Sequence, residues 1–205
     1  MSRKTDLILL QANIKKNDAR ALLGRLKTKD LLKKVAVTYK AWAPLAQEAE
    51  QTGLLHVYLK LEKPRRLNKK DIRNVERRWL KISQATEGFA SRLSKVFESP
   101  GAASGQPPLF HYVVETTPEK GWVKELGKWY DQEHMPGLAA VPGCIHTVRM
   151  LNLDHGPKFL SCYDLVDRSV MGSPAWLEVR NTEWSSRCRP HFTKTKRNMF
   201  EVLES

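Results

Sequence analysis

Along the second half of the chain, short runs of alternating apolar and polar residues are separated by two longer segments whose apolar residues recur every three or four positions. The alternating runs FHYVVETT (110–117), CIHTVRMLNL (144–153), KFLSCYDLV (158–166) and NMFEVL (198–203) predict strands. Gly121 to Val141 predicts a helix, and Ser173 to about Arg187 a helix or a helix plus turn. The order βαββαβ, with right-handed crossovers, gives a ferredoxin-like α+β domain: a four-stranded antiparallel sheet with both helices on one face. The other face is apolar as well, because Tyr112, Val114 and Tyr163 alternate with Val113, Leu160 and Val166. A second sheet is needed to cover it, either from a homodimer or from the first half of the chain as an intrachain pseudo-dimer.

In the first half the helical period dominates. Asp6 to Ala12 and LLHVYLK (54–60) are short enough to be strands. Asn17 or Asp18 can cap a helix carrying Leu22, Leu23 and Leu26, and Thr28 or Asp30 a second one carrying Leu31, Val35, Tyr39 and Trp42. Between Asn68 and Phe97, Ile72, Val75, Trp79, Ile82, Phe89, Leu93 and Val96 recur three and four apart, except where Thr86 takes one position. This predicts one long amphipathic helix. The expected organisation is a mainly helical domain over 1–98 with one or two strands, a linker over 99–108 built on SPGAASGQPP, and the α+β domain over 109–205.

Charge sharpens that division. The formal net charge is +13, yet residues 1–100 carry 23 basic against 10 acidic side chains, and residues 101–205 carry 12 of each. Much of the excess lies at Arg65, Arg66, Lys69, Lys70, Arg73, Arg77 and Arg78. A face of one sign suits an anionic partner such as nucleic acid or an acidic protein, whereas a solvated face is the ordinary reading of such a run.

Cys144, Cys162 and Cys188 have no CxxC spacing, so reduced, buried thiols are expected and a zinc site is not. The apolar run near the N-terminus is too short for a secretory signal, and no segment approaches the length of a membrane helix. A cytoplasmic location without membrane insertion is the expectation. Phosphate-binding loops, a nucleophile elbow and histidine-pair metal spacings are all missing from the sequence.

The segment WYDQEHMPGLAAVPG (129–143) closely resembles the signature of EthD-like proteins in the dimeric α+β barrel superfamily. SPAWL (173–177) resembles the start of that family's short second helix, and NTEWSSRCRPHF (181–192) its segment before the last strand. The resemblance spans about 110–203. It implies a small organic ligand, often aromatic or polyketide-like, and relatives that include cofactor-independent cyclases, isomerases and lyases. Other branches bind haem or act as sensors. The alternative function is a ligand-sensing or adaptor protein whose basic half docks its partner.

Along the predicted helix that leads into the motif, Trp122, Leu126, Tyr130 and His134 are four apart and form one stripe, with Trp129 and Glu133 turned about 100° away. Pro136 is expected to kink or end the helix near Met135, and Pro142-Gly143 to turn the chain into the next strand. A histidine at such a place can exchange protons near neutrality, so His134 is the candidate general acid/base, with Tyr130 beside it and Glu133 to orient it. The structural alternatives are a turn-fixing hydrogen bond for His134 and a capping or solvated role for Glu133. Trp129, Arg149, Tyr163, Trp184 and His191 are candidate ligand contacts. Their alternatives are core packing for the aromatic residues, a salt bridge for Arg149 and a surface position for His191.

Overall fold

The structure is a computed structural model, and it describes residues 3–44 and 52–203. The chain divides into two compact units. The first comprises Met1–Ser94, Asn152–His155 and Glu201–Ser205, and the second Lys95–Leu151 and Gly156–Phe200.

The first unit is not mainly helical. It runs β1 (Thr5–Lys15), α1 (Lys16–Arg25), α2 (Thr28–Leu31), β2 (Val35–Pro44), β3 (Thr52–Arg65), α3 (Lys69–Ser83) and β4 (Gly88–Pro100), the last strand passing into the second unit after Ser94. Two sequence expectations fail for one reason, the overlap of helical and strand periods in short apolar runs. Leu31, Val35, Tyr39 and Trp42 fit a helical stripe, yet Val35, Val37 and Tyr39 also alternate, and the chain resolves the ambiguity as strand β2. The long helix expected over 68–97 stops at Ser83, where Gln84 takes a left-handed conformation with φ of 55°. Thr86, the break in the apolar stripe, marks that boundary, and Phe89 to Val96 belong to β4. What remains of the helix is as expected: Ile72, Val75 and Trp79 are buried, and Asn68 forms a capping box with Asp71. The strands lie in the order β4-β1-β3-β2, all antiparallel, with the end of β8 (Phe192–Val202) added at β2.

The second unit follows the expected order. It contains β5 (Phe110–Pro118), α4 (Val123–Trp129), a π-helical turn (Tyr130–His134), α5 (Met135–Ala139), β6 (Cys144–Asn152), β7 (Phe159–Leu165), α6 (Pro174–Arg180), α7 (Glu183–Cys188) and β8. The last strand starts six residues before the apolar run NMFEVL that announces it. The sheet order is β8-β5-β7-β6, with the continuation of β4 beside β6. Both units therefore have βαββαβ topology, and the arrangement an intrachain pseudo-dimer requires occurs twice in one chain. Pro142-Gly143 makes the expected turn: Gly143 has φ of 87°, and a Cβ there would lie 2.5 Å from Val170 Cγ2, so only glycine fits.

The helices of the second unit cover one sheet face. Leu126, Trp129, Met135, Leu138 and Trp176 pack on Val114, Phe159, Tyr163 and Leu165. All three cysteines are buried and free. No helix of the described residues is long and apolar enough to cross a membrane.

Candidate functional site

Residues 129–143 begin on a helix with a widened turn. In a regular α-helix Trp129 and His134, five positions apart, would face directions about 140° from each other. The π turn replaces that geometry, with Met135 N–H donating to Tyr130 O, and it brings His134 under Trp129. Their rings stack with centroids 4.3 Å apart and planes 24° from parallel. Tyr130 meets the same imidazole edge-on, at 5.6 Å and 71°. The expected displacement of Trp129 from the Tyr130–His134 stripe is thus corrected by one extra residue per turn. Pro136 does not end the helix either. It sits in the first turn of α5, where the proline's missing N–H is tolerated.

Strand register supplies the other wall. Tyr112 of β5 and Tyr163 of β7 are direct cross-strand partners, so both rings project from one face, 5.9 Å apart. Trp176 of α6 packs edge-on to Tyr163 at 5.4 Å, and its helix is capped by Ser173 Oγ accepting from Trp176 N–H. His134 is edge-on to Tyr163 at 6.4 Å. These rings, with Val114, Leu138 and Phe192, bound a cavity of about 60 Å³ whose polar rim is Arg180, Arg189 and Arg197.

Burial governs the chemistry of the cavity. His134 keeps some exposed surface, but its Nδ1 has none and no protein partner, and the Tyr163 hydroxyl is likewise buried without one. Burial first, then the charges of Arg189 and Arg180, lowers the His134 pKa to about 3. The imidazole of the free protein is neutral at physiological pH, and the expected titration near neutrality is corrected accordingly. Burial also pushes the Tyr130 phenol up to about 12 and Tyr163 well above the usual phenol range.

Glu133 does not touch His134. Its Oε1 accepts from Trp129 Nε1 at 3.0 Å and from the Thr182 hydroxyl at 2.6 Å, while Thr182 caps α7 by accepting from Ser185 N–H. The first and third sequence motifs are therefore clasped together through one carboxylate, which fixes the indole on which His134 stacks. Arg149 stands behind the wall: it is 4% exposed, forms a forked ion pair with Asp131 at 2.8–3.0 Å, and lies 5.7 Å from the Tyr130 ring centroid. Trp184 donates to Glu125, and His191 stacks on Trp122 and pairs with Glu119, both away from the cavity lining. Of the sequence candidates, Trp129, Tyr130, His134 and Tyr163 converge on the cavity. Tyr112, Trp176, Phe192 and the three arginines were not among them, although Trp176 lies within SPAWL and Arg189 and Phe192 within NTEWSSRCRPHF.

The opposite face of the same sheet carries a second polar cluster, in which Asp164 bonds His111 Nδ1 at 2.7 Å and lies 3.4 Å from His146 Nδ1. Burial pushes the Asp164 carboxyl up, but the hydrogen bonds of His111 and His146 outweigh it and hold it well below the carboxylate range. Among the described residues no group of three or more His, Cys, Asp or Glu side chains is placed to hold a metal ion.

In the first unit, Lys69, Lys70, Arg73, Arg77 and Arg78 lie exposed on α3, with Arg66 before it and Arg65 at the end of β3. Arg65 donates to Lys33 O, Arg78 to Leu31 O and Arg77 to Asn74 Oδ1, so three of the seven are held by neutral acceptors. Nothing else among the described residues of this unit supports a nucleic-acid role. A cleft of about 490 Å³ lies between Asn13–Lys15, α1 and Ser83–Thr86. It lacks aromatic lining, and its rim residue Thr52 adjoins residues 45–51, which lie outside the described part.

No protein-family model matches the sequence, and no curated protein sequence matches it. Solved structures do match the fold. A candidate monooxygenase of Fusobacterium nucleatum superposes with a TM-score of 0.65 at 11% identity, covering 100% of this chain and 94% of that one. The two chains share their fold over nearly the whole of both. Chlorite dismutase from Candidatus Nitrospira defluvii, in a mutant form, matches with a TM-score of 0.60 at 6% identity, covering 98% and 92%. A ferredoxin-fold protein of Listeria monocytogenes related to antibiotic biosynthesis monooxygenases matches at 0.52 and 14% identity, covering 98% and 96%. At such identities the likeness establishes the fold alone.

Proposed function

We propose that the second unit binds a small, mainly apolar organic molecule and that His134 exchanges a proton with it, without a cofactor. The resemblance of residues 129–143 to EthD-like proteins points to lyase, isomerase or cyclase chemistry on an aromatic or polyketide-like compound. The observation that carries the reading is an aromatic-walled cavity lined by His134 and Tyr163, each of which also buries a polar atom, Nδ1 and the hydroxyl, that has no partner. A buried polar atom left unmatched costs about 1–3 kcal/mol, and a ligand bearing a polar group recovers that cost on binding. Aromatic walls hold a planar body without demanding one substituent pattern, which suits a ring-bearing substrate.

In this reading the neutral imidazole accepts a proton from the ligand and returns it elsewhere on the same molecule. Tyr130 packs against the imidazole and keeps its own proton, while Glu133 positions Trp129 and through it the His134 ring. The experiment is His134→Gln, which retains polarity and removes proton exchange. Turnover of a responsive aromatic substrate is expected to fall by about 10² to 10⁴ with folding and ligand binding preserved. An equal loss of thermal stability and of binding would assign His134 to the architecture instead.

A further inference from the structure

The rim of the cavity has a charge that its walls do not explain. Arg180 ends α6, Arg189 lies in the short turn after α7, and Arg197 lies on β8, so three separate elements each bring an arginine to the lining of one cavity. No Asp or Glu lines the cavity. Among the described residues none of the three forms an ion pair, although arginines elsewhere in the unit do, as Arg149 does with Asp131. Part of Arg189 has a structural task, one N–H reaching Arg180 O at 3.4 Å, which leaves the other donors of its fork unassigned. Arg189 is only half exposed, and its pKa is lowered by burial and then by the charges of Arg180 and Arg197. Gathering like charges beside partly buried surface is unfavourable unless an opposite charge joins them.

We infer that the cavity is selective for an organic anion, a planar conjugated body carrying a carboxylate or enolate, with the charge held at the Arg180, Arg189 and Arg197 rim and the body among the rings. This rests on the small-molecule reading of the site and names its substrate class. The guanidinium fork matches a carboxylate in two parallel hydrogen bonds, and the rim is open enough for a charged group to stay partly solvated. The cavity of about 60 Å³ holds a few waters and less than a full ring, so the ligand body must displace side chains of the lining as it enters. The arrangement also serves the proton transfer. Burial is the larger cause of the low His134 pKa, and the charges of Arg189 and Arg180 add to it; an anionic group held at the arginines offsets the second contribution.

The test compares benzoate with benzamide, a neutral compound of nearly the same shape, by calorimetric titration of the full chain. Benzoate is expected to bind at least about tenfold more tightly, the advantage shrinking with added salt. In Arg189→Gln combined with Arg197→Gln the preference for benzoate should shrink severalfold. Arg180→Gln, at an exposed position, supplies an independent variant should the double substitution perturb folding, and it should reduce the benzoate preference by itself. Equal binding of the two compounds by the parent protein, or a preference that survives all three substitutions, overturns the anion assignment while leaving a small-molecule cavity in place. Failure of both compounds to bind at millimolar concentration removes the cavity reading and the inference with it.

Discussion

His134 shows how much one residue's surroundings change what its type suggests. In the sequence it is a histidine at the end of an apolar stripe, and the unperturbed imidazole titrates near neutrality. In the fold its Nδ1 is shut from solvent beneath the Trp129 ring, and Arg189 and Arg180 face it. The stability consequence has a definite sign. Below about pH 6.5 the unfolded chain takes up a proton that the native His134 refuses until about 3, so stability falls as pH drops through that interval. His134→Gln should remove this contribution, leaving a shallower fall in urea-unfolding free energy between pH 6.5 and 4. Parallel curves for the parent and the variant would show that the native imidazole is not held neutral. Four of the cavity residues were legible as candidates because they sit in a recognisable motif or on a strand face. Arg180 and Arg197 lie outside those motifs and Arg189 inside one, but nothing in their spacing shows that a helix end, a turn and a strand meet.

The elements of the site are held by the clasp between the π turn and α7. Glu133 Oε1 accepts from Trp129 and from Thr182 at once, so the turn that presents His134 and the cap that starts α7 share one acceptor. Glu133→Ala and Thr182→Ala should each lower stability by about 1–3 kcal/mol, since each leaves buried donors or an acceptor unmatched. The double variant should cost less than the sum, by a coupling energy of about 0.5–3 kcal/mol measured in denaturant titrations. Strict additivity would mean that the two motifs are held independently. Glu133→Gln, which keeps an acceptor in place, should retain activity, as expected of a positioning residue. The sequence announced the motifs but not the clasp, because a π turn is invisible to a count in threes and fours. The same arithmetic misassigned β2 and the first part of β4, where a few apolar residues satisfy both periods and the burial of neighbouring strands decides.

At the scale of the molecule, the chain repeats βαββαβ in two units that share a topology and differ in charge. The second unit was legible because its strands alternate cleanly and its helices carry motifs, whereas in the first the short apolar runs of β2 and β4 fit the helical and strand periods alike. The charge excess of the first half thus reported on surface and not on fold. The cavity reading makes one claim about the whole protein that can be observed directly. Six tryptophans are distributed over it: Trp42 and Trp79 are buried in the first unit, Trp122 and Trp184 lie in the second away from the cavity, and Trp129 and Trp176 line it. Nuclear magnetic resonance of the indole N–H and imidazole signals, followed while small aromatic acids are added, reads all of them at once. The account predicts that the Trp129, Trp176 and His134 signals shift together and saturably while those of Trp42 and Trp79 stay fixed. Saturable shifts confined to Trp42 or Trp79, or a full series of compounds that moves neither Trp129 nor His134, would contradict it.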